Sequence, residues 1–138
     1  NAPSQQSTNR AWYTIDDGTT WFADSAERLT PFEKDGKWAS RVYLHSFDGG
    51  KTIVATKLER YTKKASTALT AIRAAIAKSS ETVIEDREAE WHTPACIEIK
   101  RPGEATWKSA ASEAAVKECE PHDPKNPTAI ALPIYPPP

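Results

Sequence analysis

Two histidine–cysteine pairs, His92-x-x-x-Cys96 and Cys119-x-x-His122, carry the atom types that tetrahedral zinc prefers. Their spacings are not those of a standard zinc finger, and the same two cysteines could form one disulfide or remain two buried thiols. A Cys96–Cys119 disulfide is the first expectation, unpaired thiols the second and zinc the third, so no metal site is assigned. Glu59-Arg60 with one of His45, His92 or His122 would supply the base, cation and acid of a small nuclease-like hydrolase. Neighbouring residues at a strand end, however, ordinarily pair with other side chains or face water. There is no G-x-S-x-G elbow and no glycine-rich phosphate loop, and glycine totals only 5. No catalytic residue and no cofactor are assigned, and the balance is against an enzyme. The acidic turns Asp16-Asp17-Gly18, Asp35-Gly36 and Asp48-Gly49-Gly50 lack the five or more closely spaced oxygens of a calcium loop. Five tryptophans, Trp12, Trp21, Trp38, Trp91 and Trp107, could form a platform on which sugars stack, although such residues more often serve as core or hairpin cover.

Within the first 52 residues the pattern Thr/Ser-x-Asp-x-Gly-x-Thr occurs twice. The first copy is built on Thr14, Asp16, Gly18 and Thr20 with Trp21 following; the second is built on Ser46, Asp48, Gly50 and Thr52 with Ile53 following. The pattern resembles the Asp-box, a β-hairpin turn of sialidases that also occurs in unrelated β-rich proteins. Its chemistry is local: the carboxylate accepts backbone N–H groups across the turn, glycine takes the positive-φ position and the hydroxyls close the loop. Thr14, Asp16, Gly18, Thr20, Trp21, Ser46, Asp48, Gly50 and Thr52 are therefore structural turn residues.

The elements follow from pattern. Residues 11–24 alternate around the first turn and predict a hairpin. Residues 25–40 read as a loop with a turn at Asp35-Gly36. Segments 41–47 and 52–58 predict a second hairpin, rich in aromatic and β-branched residues. From Thr62, a candidate N-cap, Ala65, Leu69, Ile72 and Ile76 recur at helical spacing as far as Ser79-Ser80, giving an amphipathic helix of about five turns. Its stripe should lie on the sheet made by the hairpins. Around Val83 and Ile84 strand and helix are both open; residues 95–100 alternate as a short strand; residues 109–117 could form a second short helix. From Glu120 the prolines exclude helix and predict an extended, polyproline-like tail, in which Ile130, Leu132, Ile134 and Tyr135 are too apolar for a free linker. These four are interface candidates, either toward a partner or toward the chain's own core.

Length and charge bound the function. The 138 residues fit one domain. With 18 Lys and Arg against 19 Asp and Glu, a generic nucleic-acid partner is disfavoured. Charge is uneven: residues 57–78 carry six basic side chains and one acid, whereas residues 81–90 carry five acids and Arg87. That is the pattern of a solvated helix followed by an acidic loop, or of a polarised face for a partner. No apolar run approaches the ~20 residues that span a bilayer. The polar stretch 1–10 reads as a linker, of the sort that follows a removed signal peptide or anchor, or as an arbitrary chain boundary.

Several segments also resemble small exported proteins of planctomycete-type bacteria that carry an N-terminal membrane anchor. They are the run from Tyr13 to Asp24, Pro31-Phe32-Glu33-Lys34-Asp35-Gly36-Lys37, Asp48-Gly49-Gly50-Lys51, Leu58-Glu59-Arg60-Tyr61-Thr62, and Ile99-Lys100-Arg101-Pro102-Gly103 with Trp107, followed by a cysteine and a proline-containing tail. The chain departs from that pattern in its Ala-rich helix and in His122-Asp123-Pro124. The resemblance implies an extracytoplasmic location, periplasmic or at the cell surface, with any anchor outside these residues, and implies no activity. The expectation is an α+β domain over residues 11–127: an antiparallel sheet from two hairpins, one long amphipathic helix packed on it, and a Pro-rich tail over 128–138. Its expected role is a non-catalytic accessory or interaction domain with a protein partner or larger assembly. The alternatives are a carbohydrate-binding module and the nuclease-like hydrolase.

Overall fold

The long central strand of the molecule is dictated by residues 37–46, where Ser40, Val42, Leu44 and Ser46 are buried in alternation with the more exposed Arg41, Tyr43 and His45. The structure, a computed structural model, describes residues 9–79 and 87–138. In order along the chain are β1 (Arg10–Thr14), β2 (Phe22–Ser25), β3 (Phe32–Lys34), β4 (Lys37–Ser46), β5 (Val54–Tyr61), α1 (Lys63–Ser79), β6 (Ile97–Lys100), β7 (Lys108–Ser109), α2 (Glu113–Glu118) and β8 (Leu132–Ile134). Short 3-10 turns at Ala89–Trp91 and Pro94–Cys96 precede β6. The expected linker lies outside the described residues as far as residue 8, as do Val83, Ile84 and most of the acidic stretch.

The eight strands form an antiparallel sheet with the path β2-β1-β4-β5-β6-β7, and β3 and β8 each pair with β4. The fold is thus α+β with the sheet dominant. Residues paired directly across strands share a face, so Val42, Leu58 and Lys100 face one side while Arg41, Glu59 and Ile99 face the other. On the first side Val42, Leu44 and Leu58 make a buried cluster covered by Trp12, Trp21, Trp107 and Ile134. Burial of each aliphatic side chain contributes roughly 1.5–3 kcal/mol. On the second side α2 covers Ile99 with Ala115 and Cys119. A register shift between Tyr43 and Leu44 lets Ala55 rejoin the first face.

The expected loop over 25–40 is corrected. Phe32–Lys34 and Lys37–Ser46 pair, with Lys34 opposite Lys37, leaving a two-residue turn at Asp35 and Gly36. Both have positive φ, 53° and 78°, the turn whose twist matches a hairpin. A three-residue strand has too few side chains to show alternation, so the turn was legible and its strands were not.

Helix α1 begins where expected. The Thr62 hydroxyl accepts the Ala65 N–H at 3.2 Å, and Ala65, Leu69 and Ile76 are buried. Its packing falls on β5 and on the Ala89–Trp91 turn. Helix α2 starts later than expected, because Lys108–Ser109 pair with β6 and Ser112 caps the helix by accepting the Ala115 N–H. The tail supplies β8, antiparallel to β4 on the side also used by β1. Pro133, opposite His45, occupies an edge strand where a missing N–H is tolerated. No helix among the described residues is long and apolar enough to cross a membrane.

Candidate binding cleft

Two turns of like chemistry set the ends of the first face. The buried Thr14 hydroxyl accepts the Gly18 N–H at 2.9 Å and shares its proton between Asp16 Oδ1 and the Thr20 carbonyl, at 2.8 and 2.7 Å. Asp16 Oδ1 accepts the Thr20 N–H at 2.8 Å and its Oδ2 accepts the Thr20 hydroxyl. In the second turn the Ser46 hydroxyl accepts the Gly50 N–H at 2.8 Å and donates to Asp48, and Asp48 accepts the Thr52 N–H at 2.8 Å. Hydrogen bonds to the ionised form hold both carboxyls below the ordinary aspartate range. The Thr20 hydroxyl is the largest cause for Asp16, and the Thr52 N–H, the largest for Asp48, helps bring it to about 2. Trp21 closes the first turn against the core, whereas Ile53 at the matching position is exposed.

The first turn has a further function in positioning. Asp17 extends from it to accept the Gly103 N–H at 2.6 Å and the ammonium of Lys100. Lys100, only 7 % exposed, also donates to the Glu104 carbonyl at 2.8 Å. Gly18, at φ 88°, sits where a Cβ would lie 3.0 Å from the Ala55 Cβ, so the turn is pressed onto β5. The turn, β5 and the loop after β6 are thereby locked together.

Between this turn, the sheet and the first turns of α1 lies a cleft of about 700 Å³. Its floor holds Ser40, Leu58 and Arg60; Glu98 and Lys100 come from β6; Lys63, Ser66 and Thr67 come from α1. Arg60 Nε donates to Glu98 at 2.8 Å and its guanidinium stacks 4.2 Å from the centre of the Trp107 ring. Lys100 lies 5.5 Å from the same ring. Trp38 stands at the cleft with 67 % of its surface exposed. Tyr61, at the end of β5, meets His92 Nδ1 at 3.0 Å; His92 Nε2 meets Glu88 at 2.9 Å; Glu88 is buried and held by a bidentate Arg73 at 2.8 and 3.1 Å. Arg73, its largest cause, keeps the Glu88 carboxyl below the ordinary range, so this carboxylate accepts the His92 Nε2 proton and fixes the ring that positions Tyr61.

The other candidates do not converge on this cleft. Glu59 and Arg60 are consecutive in β5 and face opposite sides: Arg60 joins Glu98, while Glu59 accepts the Tyr43 hydroxyl at 2.9 Å. Burial, and then the charge of Glu59, raises the Tyr43 hydroxyl pKa. His45 shares Glu59's face, where Nδ1 meets the Thr56 hydroxyl at 2.7 Å, and burial lowers its pKa. His122 meets the Glu120 carbonyl at 3.1 Å. The expected Cys96–Cys119 disulfide is corrected: both are free thiols. Cys119 is drawn into the apolar cluster with Ile99 and Ala115, where burial raises its pKa, while the Cys96 Sγ lies 3.7 Å from the Glu90 carbonyl. Among the described residues no three His, Cys, Asp or Glu side chains gather as a metal centre requires. Of the interface candidates, Ile134 packs on the core, whereas Ile130, Leu132 and Tyr135 are exposed.

Sequence reasoning missed Ser40, Glu98, Lys100 and the part played by Asp17. The signal was the alternation Glu98-x-Lys100 beside Leu58-x-Arg60, which puts Arg60 opposite Glu98 and Lys100 opposite Leu58 on one sheet face once the strands are aligned. No protein-family model matches the chain, and no match is found among curated proteins or solved structures.

Proposed function

We propose that the protein is a non-catalytic extracytoplasmic binding module, an accessory or interaction domain whose recognition surface is the Trp38 cleft, and that its two Asp-box turns serve as scaffold. The observation that carries this reading is a two-thirds-exposed indole at a concave site whose two carboxylates, Glu98 and Asp17, are each already paired with a cation. A general base needs freedom to take a proton from a substrate, whereas Glu98 and Asp17 are each engaged by a cation. The extracytoplasmic placement rests on the resemblance to exported proteins. A carbohydrate occupant, the second reading, is favoured by Trp38 and Trp107 lining one cleft with several hydroxyls. Native purification of wild type and Trp38→Ala in parallel, with identification of what co-purifies, tests the proposal. Loss of one species from the variant at unchanged melting temperature is the expected result. Retention of every species, or turnover of RNA or polysaccharide by the pure protein, overturns it.

A further inference from the structure

The geometry points to an acidic saccharide, one bearing a carboxylate or sulfate, as the occupant of the Trp38 cleft; this inference rests on the reading of that cleft as the binding surface. Three observations select it. First, the floor strands are paired on both sides, β4 by β1 and β5, β5 by β4 and β6, and β6 by β5 and β7. The cleft therefore offers a ligand side chains rather than free strand backbone, which disfavours an added peptide strand. Second, those side chains suit a polyol. Ser40 is only 8 % exposed yet lines the cleft, and its hydroxyl, like those of Ser66 and Thr67, has no hydrogen-bond partner among the described residues. Arg60 and Glu98 add a donor and an acceptor held in fixed orientation, and the open Trp38 indole gives the apolar face of a sugar ring a surface to stack on.

Third, the charge is unbalanced by one. Arg60 is matched by Glu98 and Lys100 by Asp17, but Lys63 has no partner among the described residues. The first turn of α1, which starts at Lys63, contains no acid to offset the partial positive charge of the helix end. An anionic group on the sugar completes both.

The test is titration of the full chain, followed by tryptophan fluorescence and calorimetry. The acidic probes are trigalacturonic acid, sialyllactose and a heparin tetrasaccharide; the neutral ones are galactotriose and lactose. At least one acidic probe should bind saturably and more tightly than the neutral sugars. Trp38→Ala should weaken that binding about tenfold or more, and Lys63→Gln about threefold to fivefold, an effect that disappears at high salt. Circular dichroism checks that both variants keep the fold. Equal binding of neutral sugars with Lys63→Gln unchanged overturns the acidic class and leaves the cleft. Silence of all five probes overturns the saccharide and leaves the co-purification test of the cleft standing. Binding indifferent to Trp38→Ala overturns both.

Discussion

Thr14 and Asp16 together satisfy the N–H groups of Gly18 and Thr20, in a turn whose Thr14 is only 2 % exposed. Thr14→Val leaves the Gly18 N–H unmet beside the packed β5 strand and should destabilise by roughly 1–3 kcal/mol. Asp16→Ala, whose Thr20 donors are exposed and can turn to water, should cost toward or below the lower end of that range. Asp48→Ala removes the equivalent acceptor from the Thr52 N–H in a more exposed turn and should lower the melting temperature by less. Thermal melts of the three variants check the ordering, and wild-type melting for Asp16→Ala would show that the carboxylate does not hold the turn. Asp17 belongs to a different role from its neighbour. It reaches the Gly103 N–H and Lys100 rather than its own turn, so a motif written for one hairpin also positions a cleft residue from β6.

Elements with a clear period were legible in advance: the two hairpins around the aspartate turns, and α1 with its Thr62 cap and buried Ala65, Leu69 and Ile76. Those that escaped, β3, β7 and β8, are three residues long or fewer, and their pairing is fixed by register with a longer strand rather than by their own composition. The cleft was illegible for a related reason. Its members come from β1, β4, β5, β6 and α1, and only the alignment of strands distant in sequence brings Arg60 to Glu98 or Lys100 to Asp17. The tail illustrates the energetics. Ile134 packs against the Val42–Leu44–Leu58 cluster and its carbonyl accepts the Trp12 indole N–H at 3.1 Å. Ile134→Ala should therefore cost about 1–2 kcal/mol, toward the lower end for a half-buried aliphatic residue. Truncation after Pro127 removes the whole of β8 and should cost more, read as a lower urea midpoint. An unchanged midpoint would show the tail to be dispensable to the fold.

Across the molecule the titrating groups divide into two sets with opposite pH signatures. Asp16, Asp48 and Glu88 are held below ordinary carboxylate values by hydrogen bonds to the charged form, from Thr20, Thr52 and Arg73 respectively. A carboxyl with a depressed folded pKa stabilises the native state above its unfolded value and loses that contribution as pH falls through the folded value. The loss should thus begin near 4.5 for Glu88 and near 3.8 for the aspartates, with the Asp48 share persisting until about 2. His45 adds an earlier step. Burial lowers its pKa below 6.5, the unfolded chain binds the proton more readily, and stability starts to decline just below that pH. Tyr13, Tyr43 and Tyr61 act in the other direction. Burial raises each hydroxyl pKa, so their contribution is complete below 10 and erodes as pH rises beyond it. Cys119, whose thiol pKa burial also raises, begins the alkaline loss near 9, so urea midpoints measured from pH 3 to pH 11 should trace a plateau between about 6.5 and 9 with losses on both sides. In Glu88→Gln the plateau should drop, because Arg73 and His92 lose their ionised partner, and the step near pH 4.5 should shrink. An acid limb of unchanged height in that variant would show that the Glu88 network does not couple protonation to folding.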